Sequence, residues 1–530
     1  MTLRETFASD QVGFPILTAL IVLPLVCAAV VALLPDRRSA RTAALGAALA
    51  ELALAVVLVL AFTPGVSDIQ FTERVTWMET VGAQYHVGVD GISVLFIPLT
   101  AFITALVILF SWNSPQFLSK PYFVAVLGLE AMTIGVFASL DLVLFFVFWE
   151  LMLVPSYFLI KLWGGGPQRQ HAGLKYVMYM LVGSAPMLIG IVLLGANYSD
   201  VRADGDGPLF SFDFVTLLAT PISPERQTVV FFLFAFAFAV KGPLVPFHTW
   251  MPTALLEGPI GMGLFLVGLK LGVYGFLRFT IPLLPDAAEQ WSWLLAALGA
   301  LAVVYAGLIA LVQRNLRRLL AFAGTSHVGL ALVGAFSLNV QGIQGALFVM
   351  VNAGLASAGL LLLAGFLHAR TGSSDLSRYG GLARRAPLLG CFFLIVALAA
   401  IGLPGTSGFV GEFLVLLGAF RAHWALASVA VLGVVLSAAY LLTFYERAFL
   451  GPATRAATGT LPDLGAREAG TAAVISAVIF WVGLFPGAFL EITRGSVEAL
   501  AEHVERGTPA QTSDDGYHSP PVGGRTQDSR

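Results

Sequence analysis

Long apolar runs recur along the whole chain, and they restrict its possible folds more than any other feature. One of them is LVLFFVFWELMLVPSYFLIKLWG at residues 142–164. A helix needs about 20 apolar residues to cross the hydrocarbon core of a membrane. The chain is 58% hydrophobic and only 11% charged, whereas soluble domains carry about 25% charged residues. The sequence therefore predicts an integral, all-α membrane protein.

About fourteen segments are long and apolar enough to be transmembrane helices. Their predicted centres are Leu23, Leu52, Ile103, Ala131, Glu150, Leu181, Phe236, Val267, Leu301, Val328, Ala356, Ala399, Leu432 and Ile479. Residues 1–503 then form one transmembrane domain, followed by a polar tail, residues 504–530, that is predicted to be disordered. The N terminus lacks the basic segment of a signal peptide, so we expect the first span to remain in the protein.

Lysine and arginine are distributed unevenly between alternate connections. The odd-numbered connections hold seventeen of these residues, and the other side of the membrane holds seven when the polar tail is left out. Cytoplasmic loops carry an excess of positive charge. The distribution predicts that the odd connections are cytoplasmic and that both termini lie on the outer side of a prokaryotic inner or plasma membrane.

Two of the predicted spans are interrupted within their apolar sequence. The seventh contains KGPLVPFHTW at 241–250, and the twelfth contains GLPGTSGFVGEF at 402–413. Proline removes a backbone donor and clashes with the preceding turn, and in the twelfth span Pro404 is followed by Gly405 and Gly408. Both helices should therefore break, with Lys241 and Glu412 beside the breaks. Broken helices at matching places in two halves are typical of transporters built from repeats. We expect two inverted five-helix repeats, formed by spans 4–8 and 9–13.

Ionisable residues are rare inside membranes, yet this chain has eight of them at predicted membrane depth. They are Glu51, Glu130, Glu150, Lys241, His248, Lys270, His327 and Glu412. Ion pairing that only helps the helices to pack is one interpretation. Several buried pairs are a costly way to stabilise a bundle, however, and this favours a path for protons or other ions. For Glu51 the sequence suggests no partner.

Alternating acids and bases suit protons in particular. Burial disfavours the charged form of each group, and an opposite charge nearby restores it. A pair such as Glu150 and Lys241 would hold both charges while close together and release a proton on separation. Histidine titrates near neutrality, which suits His327 for a relay. His248 follows Pro246 and is expected either in the helix break or at the cytoplasmic boundary.

The sequence offers no motif for redox chemistry. It has no GxGxxG after a predicted strand, no P-loop, no CxxC pair and no histidine cluster. Its two cysteines, Cys27 and Cys391, both lie in apolar runs. We therefore expect no catalytic residue and no bound metal, nicotinamide, flavin or iron–sulfur cluster in this chain.

Four stretches carry a resemblance to a known family. They are FFVFWELMLVPSYFLIKLWGG, AVKGPLVPFHTWMP, QRNLRRLLAFAGTSHVGL and IGLPGTSGFVGEF. These motifs resemble the antiporter-like membrane subunits of NADH-quinone oxidoreductase, the respiratory complex I, and the likeness extends over residues 85–450. Glu412, where the L and N types carry lysine, is typical of the subunit M (chain 4) type.

The resemblance implies a role in proton translocation for five residues. Glu150 and Lys241 would form the coupling pair of a first half-channel. Lys270 would be the central relay. His327 and Glu412 would carry the proton through a second half-channel.

Three further residues are secondary candidates. Glu130 and Asp141 lie where the family also tends to be acidic, and His248 is the third. The resemblance implies a non-redox subunit of a translocase, which pumps protons while partner subunits that bind NAD, FMN, iron–sulfur clusters and quinone carry the electrons. Its expected partners are the L- and N-type membrane subunits and the lipid bilayer, and no nucleic acid.

Departures from the family pattern keep other functions open. The family usually has WLPDAHxEAP where this chain has WMPTALLEGP, so Thr253 and Leu255 replace an acid and a histidine. In the eleventh span Ala353 stands where a histidine is frequent. These differences suggest, as one alternative, a divergent paralogue in an inorganic-carbon-uptake or hydrogenase-linked complex. A subunit of an Mrp-type cation/proton antiporter is the other alternative.

Overall fold

A computed structural model of the chain describes residues 3–113, 117–202, 209–452 and 461–507. Most of the predicted polar tail, residues 508–530, lies outside the described residues. Residues 504–506 belong to the last helix. The described chain is predominantly helical and carries one small sheet.

Eleven α-helices precede residue 258, and eleven follow it in the described chain. The first set is α1 (Ala8–Gln11), α2 (Ile16–Leu33), α3 (Arg37–Ala61), α4 (Phe96–Phe110), α5 (Ser119–Ala138), α6 (Leu142–Leu151), α7 (Leu153–Trp163), α8 (Arg169–Val201), α9 (Phe214–Leu218), α10 (Pro224–Lys241) and α11 (Trp250–Glu257). The second set is α12 (Ile260–Gly268), α13 (Leu271–Gly275), α14 (Ile281–Leu283), α15 (Pro285–Val312), α16 (Leu316–Ala335), α17 (Val340–Asn352), α18 (Ala358–Thr371), α19 (Pro387–Ile401), α20 (Ser407–Tyr445), α21 (Ala466–Leu484) and α22 (Pro486–Arg506). The π-helical segments are Phe276–Thr280, Ala353–Ser357 and Glu446–Leu450. The 3₁₀ turns are Ser111–Asn113, Phe247–Thr249, Leu376–Arg378 and Leu382–Arg384.

Among the described residues, twelve helical segments are long and apolar enough to cross a membrane. The seventh and twelfth predicted spans are not among the twelve, because α10 contains Glu225, Arg226 and Lys241 and because α19 is only 15 residues long. All the predicted centres lie within helical segments. The helical membrane architecture is confirmed, whereas the count of fourteen spans remains a prediction.

Polar side chains start several of the helices at the ends of apolar runs. Asp36 accepts a hydrogen bond from the backbone N–H of Ser39 and begins α3. Asp141 accepts from two N–H groups of the first turn of α6, and Asn315 does the same for α16. Such N-caps satisfy donors that a helix cannot satisfy internally. The caps therefore fix where the chain leaves a connection and enters a span.

The seventh span is broken where its prolines predict. α10 ends at Lys241, and α11 begins only at Trp250. Pro243 and Pro246 lack the N–H groups that would continue the helix, so carbonyls of the last turn of α10 lose their usual donors. The indole of Trp250 donates to the carbonyl oxygen of Val240 at 2.9 Å and replaces one of those donors. The break is thus stabilised by a side chain on its far side.

The twelfth predicted span is broken by glycine. α19 ends at Ile401, and Gly402 and Gly405 follow with φ angles of 81° and 89°. This left-handed region is open to glycine at little cost and strained for other residues. α20 then continues into the thirteenth predicted span, with the non-helical residue His423 as the bend between them.

The eighth span contains a third break, which was not predicted from the sequence. Leu269 and Lys270 separate α12 from α13. Two backbones cross closely here, since a Cβ atom on Gly272 would lie 2.6 Å from the Cα atom of Gly242 and 2.3 Å from the carbonyl oxygen of Phe238. The break therefore sets Lys270 beside the crossing of the seventh and eighth spans.

The chain also forms a three-stranded sheet that was not predicted, with one strand before the first span and two strands between the second and third spans. Its strands are β1 (Glu5–Phe7), β2 (Ile69–Met78) and β3 (Ala83–Val89), in the order β1-β2-β3. β1 pairs with β2 in parallel, and β2 pairs with β3 in antiparallel fashion. The register sets Arg74 opposite His86.

Even-numbered connections meet on one side of the membrane and odd-numbered connections on the other. Asp141 and Asp213 pair on the side that carries β1–β3, which we call the sheet side. Asn315 and Asp375 pair on the opposite side. This alternation is what the predicted succession of spans requires. Which side faces the cytoplasm remains a prediction from the distribution of lysine and arginine.

Candidate functional site

Glu150 and Lys241 lie near each other where two helices end. Glu150 belongs to the last turn of α6, just before the turn that separates α6 from α7, and Lys241 is the last residue of α10. The two side chains attract each other electrostatically. In the described parts of the chain they form no ion pair within 4.0 Å, and the Oε1 atom of Glu150 and the Nζ atom of Lys241 are buried without a hydrogen-bond partner. The Nζ atom instead lies 4.8 Å from the centroid of the Trp149 ring.

A small cavity adjoins Lys241 on the side towards the eighth span. Its volume is about 30 Å³, and its polar lining comes from Ser156, Tyr176, Trp250 and Lys241. This is enough room for a water molecule with several polar neighbours. Leu269 and Leu271, the two residues that flank Lys270, complete the wall towards the eighth span.

Lys270 and His327 form the next part of the site. The Nζ atom of Lys270 donates to the carbonyl oxygen of Gly324 in α16 at 3.3 Å. His327 follows one turn later on the same helix and interacts electrostatically with Lys270. Its Nδ1 atom lies 3.3 Å from the hydroxyl of Ser357 in the second π-helical segment. Lys270 is 3% exposed and His327 is 6% exposed, so bulk solvent does not screen their interaction.

Glu412 lies against the break of the twelfth span. A Cβ atom on Gly402 would lie 2.3 Å from its Oε2 atom, so a larger residue at position 402 would force the carboxylate to move. Nearby, the hydroxyl of Ser407 donates to the side chain of Asn352 at 2.7 Å, and the amide of Asn352 donates to Ala399 at 3.4 Å. Asn352 was not singled out from the sequence, because a lone amide in an apolar span carries no motif.

The predicted residues are therefore grouped as two neighbouring pairs and one separate acid. Glu150 with Lys241 is the first pair, and Lys270 with His327 is the second. The ring of His327 also approaches the backbone of Ala400, directly before the break that Glu412 contacts. Carboxylates, amines and an imidazole are the side chains that can bind and release protons.

Glu130 and Glu51 lie outside this row. They are 0% and 1% exposed, and among the described residues none of their four carboxylate oxygens has a hydrogen-bond partner. The two carboxylates repel each other electrostatically. The structure thus gives Glu51 an acidic neighbour.

His248 is also separate from the row. It lies in the 3₁₀ turn of the seventh break, and its ring packs at 5.4 Å from Tyr305 and 6.0 Å from Phe322, measured between centroids. An aromatic environment of this kind fits a buried side chain of the helix break as well as it fits a relay.

The three residues that depart from the family pattern make ordinary packing contacts and hydrogen bonds. The hydroxyl of Thr253 donates to the carbonyl oxygen of Thr249 at 3.2 Å and accepts from Lys175 at 3.4 Å. Leu255 is 1% exposed and Ala353 is fully buried. None of these three residues supplies a titratable group to the site.

The sheet side holds polar residues that sequence reasoning missed. His86 and Asp213 are in contact there, close to the predicted secondary candidate Asp141. Arg278 is buried at 2% exposure and pairs with Asp90 at 2.6 Å between Nη1 and Oδ2. The burial of Arg278 beside an acid identifies a structural ion pair.

Comparison with known proteins identifies the family. The profile described as "NADH:quinone oxidoreductase/Mrp antiporter, TM" matches residues 139–437. The chain belongs to this family. It is 37% identical over 513 residues to the NADH-quinone oxidoreductase subunit M of Rhodobacter capsulatus, which covers 94% of this chain and 99% of that protein. The predicted resemblance to subunit M is confirmed.

Two solved structures match this fold over most of the chain. A chain of the respiratory complex I from Thermus thermophilus with bound NADH matches with a TM-score of 0.83 and 35% identity, over 92% of this chain and 99% of that chain. A chain of the Mrp complex from Dietzia sp. DQ12-45-1b matches with a TM-score of 0.80 over 92% of this chain and 99% of that chain. Its identity of 23% supports the shared fold alone.

Proposed function

We propose that this chain is a proton-translocating membrane subunit of an NADH-quinone oxidoreductase complex. In this proposal protons pass along Glu150, Lys241, Lys270, His327 and Glu412 while quinone is reduced in other subunits. The observation that carries the proposal is the position of Lys270. It lies in a helix break, with the cavity beside Lys241 on one side and His327 on the other.

The first step would be a change in the separation of Glu150 and Lys241. Their attraction stabilises both charges when they are close, and burial disfavours both charges when they are apart. The Oε1 atom of Glu150 and the Nζ atom of Lys241 are buried, and the two groups lie beyond ion-pair distance, so a rotation of either side chain alters their interaction strongly. A proton held by the pair can therefore be released by a small movement.

The second step would take the proton from Lys241 to Lys270. A water molecule in the cavity of about 30 Å³ can bridge the two sides of the crossing between spans seven and eight. Among the described residues, the Nζ atom of Lys270 forms a hydrogen bond with the carbonyl oxygen of Gly324 but no ion pair. A buried charge without an ionic partner is costly, so the amine readily passes its proton on.

The third step would run from Lys270 through His327 to Glu412. Imidazole has two ring nitrogens and can accept a proton on one while it gives up a proton from the other. His327 contacts Ser357 on one side and approaches Ala400 on the other, which leads towards the second break. Glu412 would then release the proton on the sheet side.

The relatives support the wider setting of the proposal. They are named as subunit M of NADH-quinone oxidoreductase. We infer that L- and N-type membrane subunits are the partners, and that partner subunits bind NAD, FMN, iron–sulfur clusters and quinone. The membrane would be a prokaryotic inner or plasma membrane, with the sheet side outward because the opposite side carries most of the lysine and arginine.

Replacing Lys270 by methionine tests the proposal. Methionine keeps a long side chain but cannot carry a proton, so proton pumping by the assembled complex in vesicles should fall about 100-fold, the scale of one positioned proton-transfer group. The control is Lys161→Met, because Lys161 bonds to Tyr157 in α7 and lies outside the row. Unchanged pumping by the assembled Lys270→Met complex would exclude this route.

The family profile also covers Mrp antiporters, so a cation/proton antiporter subunit is the second candidate. The two candidates differ in their driving force. An oxidoreductase subunit pumps protons when NADH is oxidised without a need for sodium or potassium, whereas an antiporter exchanges one of these ions for protons. Proton movement that depends on an opposing sodium or potassium gradient, and not on NADH, would favour the antiporter.

A further inference from the structure

We propose that Asp141, Asp213 and His86 form a second proton-binding site, which exchanges a proton with the water on the sheet side and acts on Glu150 through α6. This site is separate from the buried row. The inference rests on the proposed function in one respect, because its effect is measured as proton pumping.

Asp213 is the centre of the cluster. Its Oδ1 atom lies 2.5 Å from the Nδ1 atom of His86, and its Oδ2 atom lies 2.9 Å from a guanidinium nitrogen of Arg74. Glu5 lies 3.7 Å from both Arg74 and His86. The side chain of Asp213 is 1% exposed, while that of Arg74 is 34% exposed, so the cluster extends from a buried acid to a partly exposed guanidinium.

Asp141 adjoins this cluster and caps α6. Its Oδ1 atom accepts hydrogen bonds from the N–H groups of Val143 and Leu144 at 2.9 and 3.1 Å, and its Oδ2 atom accepts one from Gln84 at 3.1 Å. The backbone of Asp141 pairs with that of Asp213. The charged group that acts on Asp141 is Asp213, in the segment before α9. Arg74, His86 and Glu5 of the three strands adjoin Asp213 or each other.

The two neighbouring acids titrate differently. Burial of Asp141 raises its pKa to about 6, because desolvation outweighs the three N–H donors and the charge of Asp213 opposes ionisation. Burial also disfavours the charge of Asp213, but the hydrogen bond and charge of His86, together with Thr216 and Arg74, hold its pKa below the ordinary value. Acids whose environments separate their pKa values in this way can take different roles. Asp213 stays charged, and Asp141 accepts or gives up the proton.

α6 connects this proton to Glu150. The helix begins directly after Asp141, carries Glu150 in its last turn and ends at the turn before α7. At about 1.5 Å per residue the two acids are roughly 14 Å apart along the axis. A charged Asp141 interacts favourably with the N-terminus of α6, and protonation weakens both that interaction and the cap. The position of α6, and with it the separation of Glu150 from Lys241, therefore depends on the proton at Asp141.

A cluster that only held the sheet against the helices would not need Asp141. The pair of Arg74 and Asp213 already ties the sheet to the segment before α9. Asp141 adds a second buried acid beside Asp213, which costs free energy unless one of the two acids can bind a proton. The arrangement therefore fits a site that binds and releases a proton.

The test measures proton pumping by the assembled complex in vesicles while only the pH on the sheet side is varied. The other side is buffered, and the membrane potential is clamped. Pumping by the wild type should fall about ten-fold from about pH 7 to about pH 5, with a midpoint near 6, because the charged fraction of Asp141 falls by that factor. Asp141→Asn should pump without this transition, since its amide does not titrate.

Asp213→Asn should shift the pH midpoint of pumping, which a purely structural role of Asp213 would not do. Removing the charge of Asp213 removes its repulsion of the Asp141 carboxylate, so the midpoint should move to lower pH. A merely structural role would lower the rate at every pH and leave the midpoint in place. The control is Asp36→Asn, because Asp36 caps α3 in the same manner on the opposite side of the membrane. Its midpoint should equal that of the wild type.

The inference is overturned if Asp141→Asn keeps a transition near pH 6 or if Asp213→Asn leaves the midpoint unmoved. In either case a loss of pumping by Lys270→Met would leave the proposed function standing. If the wild-type complex oxidises NADH without pumping protons, both the proposed function and this inference fail. Should Asp141→Asn not assemble, the midpoint of Asp213→Asn decides alone.

Discussion

The two broken spans carry opposite charges, and each charge suits the helix end on which it lies. Lys241 is the last residue of α10, where the helix dipole favours a cation. Glu412 follows the other break, near the start of α20, where the dipole favours an anion. Each charge is therefore compatible with the dipole of the helix on which it lies.

The two breaks also differ in what holds the charged group. Lys241 lies over the ring of Trp149 and is attracted by Glu150 from beyond 4.0 Å. Glu412 forms no ion pair with any described residue, and its carboxylate instead fits against Gly402. The position of the Lys241 side chain in the first half therefore depends mainly on charge. The position of the Glu412 side chain in the second half depends on both charge and the shape of its surroundings.

Exchanging the charge at the second break should have the largest effect. In Glu412→Lys a cation faces the N-terminal end of α20 and repels the proton that arrives from His327. Proton pumping by the assembled complex should fall about 100-fold. Glu412→Asp keeps the charge but withdraws it by one methylene group, so it should retain partial pumping. Equal pumping by the two variants would make Glu412 a structural residue of the broken helix and would remove this contrast between the halves.

A smaller change tests whether the space around the Glu412 carboxylate matters for pumping when its charge is kept. In Gly402→Ala the new Cβ atom would lie 2.3 Å from the carboxylate of Glu412, and φ is 81°. Gly372→Ala is the matched control, because φ is 65° and nothing lies within 4 Å of its Cβ position. Both variants should lose about 1–2 kcal/mol of stability from the left-handed backbone.

Only Gly402→Ala should also displace Glu412, and its pumping should fall roughly ten-fold while that of Gly372→Ala stays near the wild-type rate. Thermal unfolding of the two variants measures the shared strain, and pumping measures the difference. If both variants pump equally well, the carboxylate has room to move and the second half does not depend on shape.

Much of this architecture is predictable because its causes are local in sequence. Apolar runs determine the spans, and Pro243 and Pro246 determine the first break. The glycines around residue 402 determine the second. The site residues at these breaks were found because a charge inside an apolar run is conspicuous.

The structural features that the sequence did not predict depend on contacts between segments that are distant in the chain. The break at Lys270 arises where Gly272 packs on Gly242, and no proline marks it. His86 and Asp213 are 127 residues apart in sequence, so their contact at 2.5 Å has no local signal. The sheet was missed because the three-residue strand β1 precedes the first span and pairs with β2, more than 60 residues later in the sequence.

The most direct test of the central claim is Glu150→Gln in the first half. The amide keeps the volume of the side chain and is cheaper to bury, but it cannot carry a proton. We predict that the complex inserts and assembles normally and that its initial rate of proton pumping, per assembled subunit, falls about 100-fold. Glu225→Gln, an exposed position in the first turn of α10, should pump at the wild-type rate. Wild-type pumping by Glu150→Gln would contradict the account.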